Sequence, residues 1–206
     1  MKGELFILSS PAGGGKTTIA NLLMVEIPNL KRVVTCTTRK PRAGEREGVD
    51  YYFLTKQEFE KGIKEGKFLE YAVVHGNYYG TPKEEVEEKL SKGFDLLLVI
   101  DVQGMLQIKE KKNDVVTIFL LPPSIDELIN RMKKRGDSPK EIEKRLETAT
   151  KEIPYYKKYD YVVINDLLEK AKNNIKCIIL AHRLKTSRFS SKMIKDDKLR
   201  ELMSYG

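Results

Sequence analysis

A lysine directly after three glycines is the most chemically informative pattern in this chain. The run Leu5-Phe-Ile-Leu-Ser-Ser-Pro11-Ala12-Gly13-Gly14-Gly15-Lys16-Thr17-Thr18 reads as an apolar strand, a glycine-rich turn and a helix start. Glycines let the backbone aim several N–H groups at one point, and the following helix N-terminus adds its dipole. Lys16 brings a mobile positive charge, and Thr17 brings a hydroxyl suited to a divalent cation. Such a cradle holds a polyanion. Ser10 stands where the common G-x-x-x-x-G-K-(S/T) spacing begins with glycine, a place a serine fills if its φ is negative.

Other residues could act at the far side of such a loop. Arg39 and Arg42 each offer a planar fork that matches phosphate. Arg131 and Arg135 lie four apart and so share one helix face, and Arg145 comes from the next helical pattern. Leu96-Leu-Leu-Val-Ile-Asp101 is an apolar strand ending in an acid, as in a Walker B element.

These residues need a scaffold. Leu5–Ser9, Val33–Thr37, Leu96–Ile100, Thr117–Leu121 and Tyr161–Ile164 read as strands buried on both faces. Helical patterns cover Lys16–Ile27, Pro82–Leu90, Ile125–Arg135, Pro139–Ile153 and Leu167–Leu184. Strand and helix in alternation predict an α/β fold: a parallel five-stranded sheet of P-loop NTPase type with helices on both faces. Thr55 with Glu58, Thr81 with Glu84, Ser124 with Glu127, Ser138 with Glu141 and Asp166 with Glu169 fit capping boxes. Pro82 and Pro139 suit a first helical position, and Gly66 and Gly136 suit helix ends. Between Val33 and Gly80 the chain turns rich in Tyr, Arg and Gly with short alternating runs, which predicts a small α+β insertion.

The 206 residues suffice for one domain, 1–206, with a real core. No run of about 18 apolar residues is present, so no membrane partner is expected. Two cysteines, Cys36 and Cys177, favour a reduced, cytoplasmic setting. Net charge is 38 − 30 = +8, which points to anionic partners, nucleotides or nucleic acid, without choosing between them.

The segments Thr35-Cys-Thr-Thr-Arg39-Lys-Pro-Arg42-Ala-Gly-Glu, Gly48-Val-Asp-Tyr51-Tyr-Phe, Phe68-Leu-Glu70-Tyr and Gly76-Asn-Tyr-Tyr79-Gly-Thr81 resemble the GMP-binding region of guanylate kinases. The resemblance runs from the first strand to about His182. It implies transfer of the γ-phosphoryl group of ATP to GMP, and to dGMP, with Mg²⁺. By resemblance, Thr35, Arg39, Arg42, Tyr51, Glu70, Tyr79, Thr81 and Asp101 bind GMP, with Glu70 accepting both guanine N1–H and the 2-amino group. Adenine turns a lone pair to that carboxylate, and a site left with an unpaired buried acceptor rejects it by roughly 10⁴-fold or more.

The ATP side would take Pro11 through Thr18 and Asn165, with Thr17 on the metal. Lys16, Arg39, Arg131, Arg135 and Arg145 would stabilise the transferring charge, three of them from a closing lid. Relatives commonly carry a second acid where this chain has Val99. The resemblance divides the chain into core (1–33, 87–122, 154–183), GMP-binding region (34–86), helical lid (123–153) and an extension (184–206). The extension reads as a disordered basic tail, a packing helix or an oligomer contact. A non-catalytic peptide-binding relative, another P-loop enzyme and a nucleic-acid binder are the rival readings. The retained Lys16, Glu70 and lid arginines weigh against them, and oligomeric state is not readable.

Overall fold

All five residues of strand β1, Leu5–Ser9, are buried. Alternation explains this, since Leu5 and Ile7 enter the core on one face of the sheet while Phe6 and Leu8 enter it on the other. A strand covered on both sides must be apolar throughout. The computed structural model describes residues 2–42, 44–191 and 194–205. In it β1 is the centre of a five-stranded parallel sheet ordered β2 (Leu30–Arg32), β7 (Asp95–Val99), β1, β8 (Val115–Leu121), β9 (Tyr161–Ile164). Helices α3 (Lys83–Ser91) and α4 (Val102–Lys111) bury Val86, Leu90, Met105 and Ile108 on one face. On the other face, α1 (Lys16–Glu26) and α7 (Leu168–Arg183) bury Ile19, Leu23, Ile175 and Ile179.

A second sheet, ordered β4 (Tyr51–Phe53), β3 (Thr35–Thr37), β6 (Asn77–Pro82), β5 (Phe68–Val74), forms the insertion. Helix α2 (Lys56–Lys64) closes it with Phe59, whose ring stacks on Phe68 at 4.3 Å and on Tyr78 at 5.0 Å between centroids. Helices α5 (Ile125–Lys134) and α6 (Pro139–Glu152) share a small core of Leu128, Met132, Ile142 and Ala149.

The structure corrects several sequence expectations. Val33–Thr37 is not a core strand: Leu30–Arg32 takes the sheet edge, and Thr35–Thr37 pairs with β4 and β6 instead. One β-prone run there hides a change of sheet, and Val33 between the two strands packs into the core. Helix α4 has no counterpart among the sequence expectations, because its cap is Asp101, which accepts the Gly104 N–H at 2.9 Å and whose sequence context marks it as a functional acid. Thr81 does not cap α3, which starts at Lys83 after Pro82, because its hydroxyl is spent on Glu70. Asp166 does not form a box with Glu169, since Leu167 occupies the cap position of α7. Ser124 makes only half a box, whereas Thr55 and Ser138 make complete ones.

Beyond residue 184 the chain returns to the sheet. Arg188 bonds Glu4 at 2.5 Å and Asp95 at 3.1 Å, next to Arg183 on Asp95 at 2.7 Å. A packed segment therefore replaces the tail reading as far as Arg188; Lys192 lies outside the described residues.

Candidate active site

The glycine-rich loop shows why each residue type is needed. Gly15, the N-cap of α1, sits at φ 97°, a left-handed conformation that glycine adopts without strain. At Gly14 the constraint is space: a Cβ would lie 2.4 Å from Ser10 Oγ. Ser10 is buried and keeps out of the positive-φ region, so serine is tolerated where the motif usually has glycine. Its hydroxyl donates to Pro11 C=O at 2.9 Å, and the Lys16 ammonium donates to Ser10 C=O and, at 3.2 Å, to Ser10 Oγ. Burial lowers the pKa of Lys16, against the opposing charges of Glu152 and Asp101. An ammonium short of solvation is primed for an anion.

A single cavity of about 650 Å³ joins this loop to the second sheet. At its near end lie Pro11 through Thr18, and Asp101 stands between the ends, its charge acting on both Lys16 and Glu70. At its far end lie Thr35, Tyr51, Tyr79 and Glu70. Glu70 is 3 % exposed and accepts the Thr81 hydroxyl at 2.5 Å. Burial pushes its pKa up to about 7, opposed by Thr81 and reinforced by the charge of Asp101. A buried carboxylate on a cavity wall is a strong acceptor for donors that enter the cavity.

The arginines form two groups. Arg39 is held by both oxygens of Glu45, at 2.8 and 2.9 Å, over the Tyr51 ring at 5.4 Å. The same carboxylate accepts the Arg42 N–H at 2.8 Å, so Glu45 organises the whole turn. From the helical pair, Arg131 bonds Glu127 at 2.8 Å and Asn165 C=O at 2.9 Å. Arg135 and Arg145 both pair with Asp137, Arg145 at 3.5 Å. Burial would raise the Asp137 pKa, but Arg135, with the charges of Arg145 and Arg42, holds it below the usual value. Arg42, Arg131, Arg135 and Arg145 all face the cavity.

Three expected site residues are not on the cavity wall. Arg39 stands behind Tyr51, and Thr81 is fully buried behind Glu70. Asn165, 3 % exposed, donates from Nδ2 to Gly14 C=O at 2.9 Å and backs the loop, its Oδ1 buried without a partner. The sequence reading gave no role to Glu45, although its place six residues after Arg39 and three after Arg42 in a Pro/Gly turn was a usable signal. Arg32 and Asp50 also face the cavity, and nothing local marked them. Neither did anything mark Glu152, the last residue of α6, whose pKa burial raises to about 7 against the pull of Lys16.

Among the described residues no cluster of three or more His, Cys, Asp or Glu could cage a metal alone. The donors present, the Thr17 hydroxyl and the Asp101 carboxylate, suit a magnesium ion that keeps waters and arrives on phosphate oxygens.

Known proteins agree with this geometry. The family model described as guanylate kinase matches residues 2–182. The chain is 45% identical over 203 residues to a guanylate kinase of Clostridium perfringens, covering 97% of this chain and 94% of that protein. It is 48% identical over 201 residues to a guanylate kinase of Oceanobacillus iheyensis, covering 96% and 98%. These alignments run past residue 184, where the family model has stopped. A crystal structure of guanylate kinase from Anaplasma phagocytophilum is similar at a TM-score of 0.79 and 38% identity, covering 98% of this chain and 94% of that one. A phosphate loop and a buried carboxylate facing one cavity, carried on this two-sheet frame, thus have full-length counterparts, and the chain belongs to the guanylate kinase family.

Proposed function

We propose that the chain transfers the γ-phosphoryl group of ATP to GMP, giving ADP and GDP, and accepts dGMP as well. The observation that carries this reading is that Lys16 and Glu70 open onto one cavity, so ATP at the loop and GMP with its base on Glu70 can meet phosphate to phosphate. Residues 34–86 then serve as the GMP-binding region and 123–153 as the lid, on a core of 1–33, 87–122 and 154–183.

Phosphoryl transfer goes through a loose transition state, so the protein positions groups and stabilises spread charge. The loop amides and Lys16 hold the β- and γ-phosphates of ATP, and Asn165 supports that loop from behind. Thr17 and Asp101 would hold Mg²⁺, which would supply positive charge against the ATP phosphates. Arg42, Tyr51 and Tyr79 aim the GMP phosphate, with Arg39 contributing as its Glu45 partner yields. Glu70 and Asp101, with Thr35, read the base. Arg131, Arg135 and Arg145 reach the shifting charge as the lid closes, and phosphate oxygens replace Asp137 as the partner of Arg135 and Arg145. Closure also excludes water, which would otherwise take the phosphoryl group.

The cationic side chains gather around this nucleotide-sized cavity, which supports nucleotides rather than nucleic acid as the anionic partners. No described helix is long and apolar enough to cross a membrane. Cys36 and Cys177 are both free thiols, which fits a cytoplasmic enzyme. The test is ADP release with GMP, dGMP, AMP, UMP and CMP side by side. Turnover confined to the two guanine nucleotides is expected, and AMP serving as well as GMP would overturn the guanine assignment.

A further inference from the structure

Glu70 sits at an irregular place in an edge strand. Among the described residues β5 pairs only with β6, and their register shifts between Phe68 and Glu70. Leu69 and Glu70 are both buried, although consecutive strand residues should face opposite ways. A bulged edge strand has unpaired backbone groups and a poorly fixed register. Something else must hold it.

That support comes from one stripe of α4. Residues 104, 107 and 111 follow i, i+3, i+7 spacing and share a helix face. The Tyr71 N–H donates to Gln107 Oε1 at 3.2 Å, and Gln107 Nε2 donates back to Tyr71 C=O at 2.6 Å. The side-chain amide thus replaces a missing neighbouring strand. Lys111 Nζ donates to Leu69 C=O at 2.8 Å, so the backbone is gripped on both sides of Glu70. At Gly104 a Cβ would lie 2.6 Å from Glu70 Oε2 and 3.0 Å from its Cδ. The Gly104 N–H meanwhile holds Asp101 Oδ1. One helical turn therefore positions both carboxylates at the base end.

We propose that Gln107 is a positioning residue for guanine recognition: it fixes the bulged strand so that the Glu70 carboxylate meets the base, at a depth Gly104 leaves open. This rests on the reading of Glu70 as the base acceptor. Neither residue lines the cavity. Their effect should fall on the fit of the base and leave the ATP end alone.

The experiment compares GMP with IMP, which lacks the 2-amino group and so leaves one carboxylate oxygen unpaired. Gln107→Leu keeps the volume and removes both hydrogen bonds. It should raise KM for GMP about tenfold and shrink the GMP-over-IMP preference several-fold, with KM for ATP unchanged and kcat within about threefold. Gln107→Glu, which can still accept from Tyr71 N–H, should fall between. Gly104→Ala removes no hydrogen bond but crowds Glu70, so it reaches the same result by a second route should the Leu variant fail to fold. Folded Gln107→Leu or Gly104→Ala protein with wild-type KM for GMP and wild-type GMP/IMP ratio overturns the proposal. Glu70→Gln separates the layers. If it abolishes the preference while the α4 variants keep it, only the support role fails; if it too keeps the preference, the base reading and this inference fall together.

Discussion

The two ends of the cavity are built in opposite ways. The phosphate end comes from one contiguous stretch, Ser10 to Thr18, whose groups are largely backbone N–H and one lysine. The proposed base end is assembled from Thr35 on β3, Glu70 on β5, Thr81 on β6 and Asp101 at the start of α4. A contiguous anion site needs only local conformation, so its chemistry is generic: any nucleoside triphosphate has those phosphates. Discrimination among bases needs a buried, incompletely paired acceptor. That costs stability, and neighbouring elements must hold it in place.

This contrast can be broken most directly at its two charged poles. Lys16→Ala should lower kcat by about a thousandfold, the scale of losing one preorganised electrostatic group at the transferring charge, with KM for GMP nearly unchanged. Glu70→Gln should do the reverse, raising KM for GMP by about a hundredfold and collapsing the preference over AMP. Steady-state kinetics on both variants checks this. A Lys16 variant that lost GMP binding while keeping its rate would show that the ends are not separate.

The same contrast decides what could be read in advance. The loop was legible because its spacing is its structure, and the parallel core was legible because strands covered on both faces must be apolar throughout. The turn of the chain at Val33 was not, since leaving one sheet for another changes hydrogen-bond partners and not residue type. Helix α4 was hidden by Gly104 in its first turn and by an acid doing double duty as its cap. The base end was legible only through family resemblance. A glutamate in a β-rich run carries no local sign that Thr81 and Asp101 will meet it. Arg39 and Arg42 were recognised as phosphate forks, but their organiser Glu45 was not, because a side chain that orders a turn looks like any surface acid.

Acidity should also distinguish the ends. Burial and Asp101 raise the Glu70 pKa to about 7 from an ordinary 4.5, and only the ionised form accepts two guanine N–H groups. Thus kcat/KM for GMP should fall about tenfold per pH unit below about 7, since that ratio reports the free enzyme. The phosphate of GMP titrates near pH 6 and contributes its own slope, so Glu70→Gln is the control that should lose only the upper inflection. Stability carries the opposite sign. A folded pKa above the unfolded one stabilises fully below pH 4.5 and is lost as pH rises through about 7. Glu70→Gln should therefore melt above the wild type at pH 8, with the gap closing below pH 4.5. A constant gap across that range would mean that the carboxylate is not buried in its charged form.

The smallest effect belongs to the phosphate end and tests how its loop tolerates Ser10. Ser10→Gly removes an oxygen from Lys16 at 3.2 Å but leaves the Ser10 backbone carbonyl that also holds it, so KM for ATP should move within about threefold. Gly14→Ala should be worse, about tenfold in kcat/KM for ATP, because its Cβ would meet Ser10 Oγ at 2.4 Å and Ser10 Cβ at 2.8 Å. In the double variant both of these obstacles are gone, and Pro11 C=O at 3.0 Å remains. Part of the loss should return, a coupling of about 1 kcal/mol, typical of residues in direct contact. Strict additivity would mean that Gly14 is required for the approach of phosphate to its backbone N–H and not for room beside the serine. The effect is small because a contiguous loop can shift as a unit and still present its N–H groups. At the base end a displacement of Glu70 has no such remedy, since the elements around it were placed by other parts of the chain.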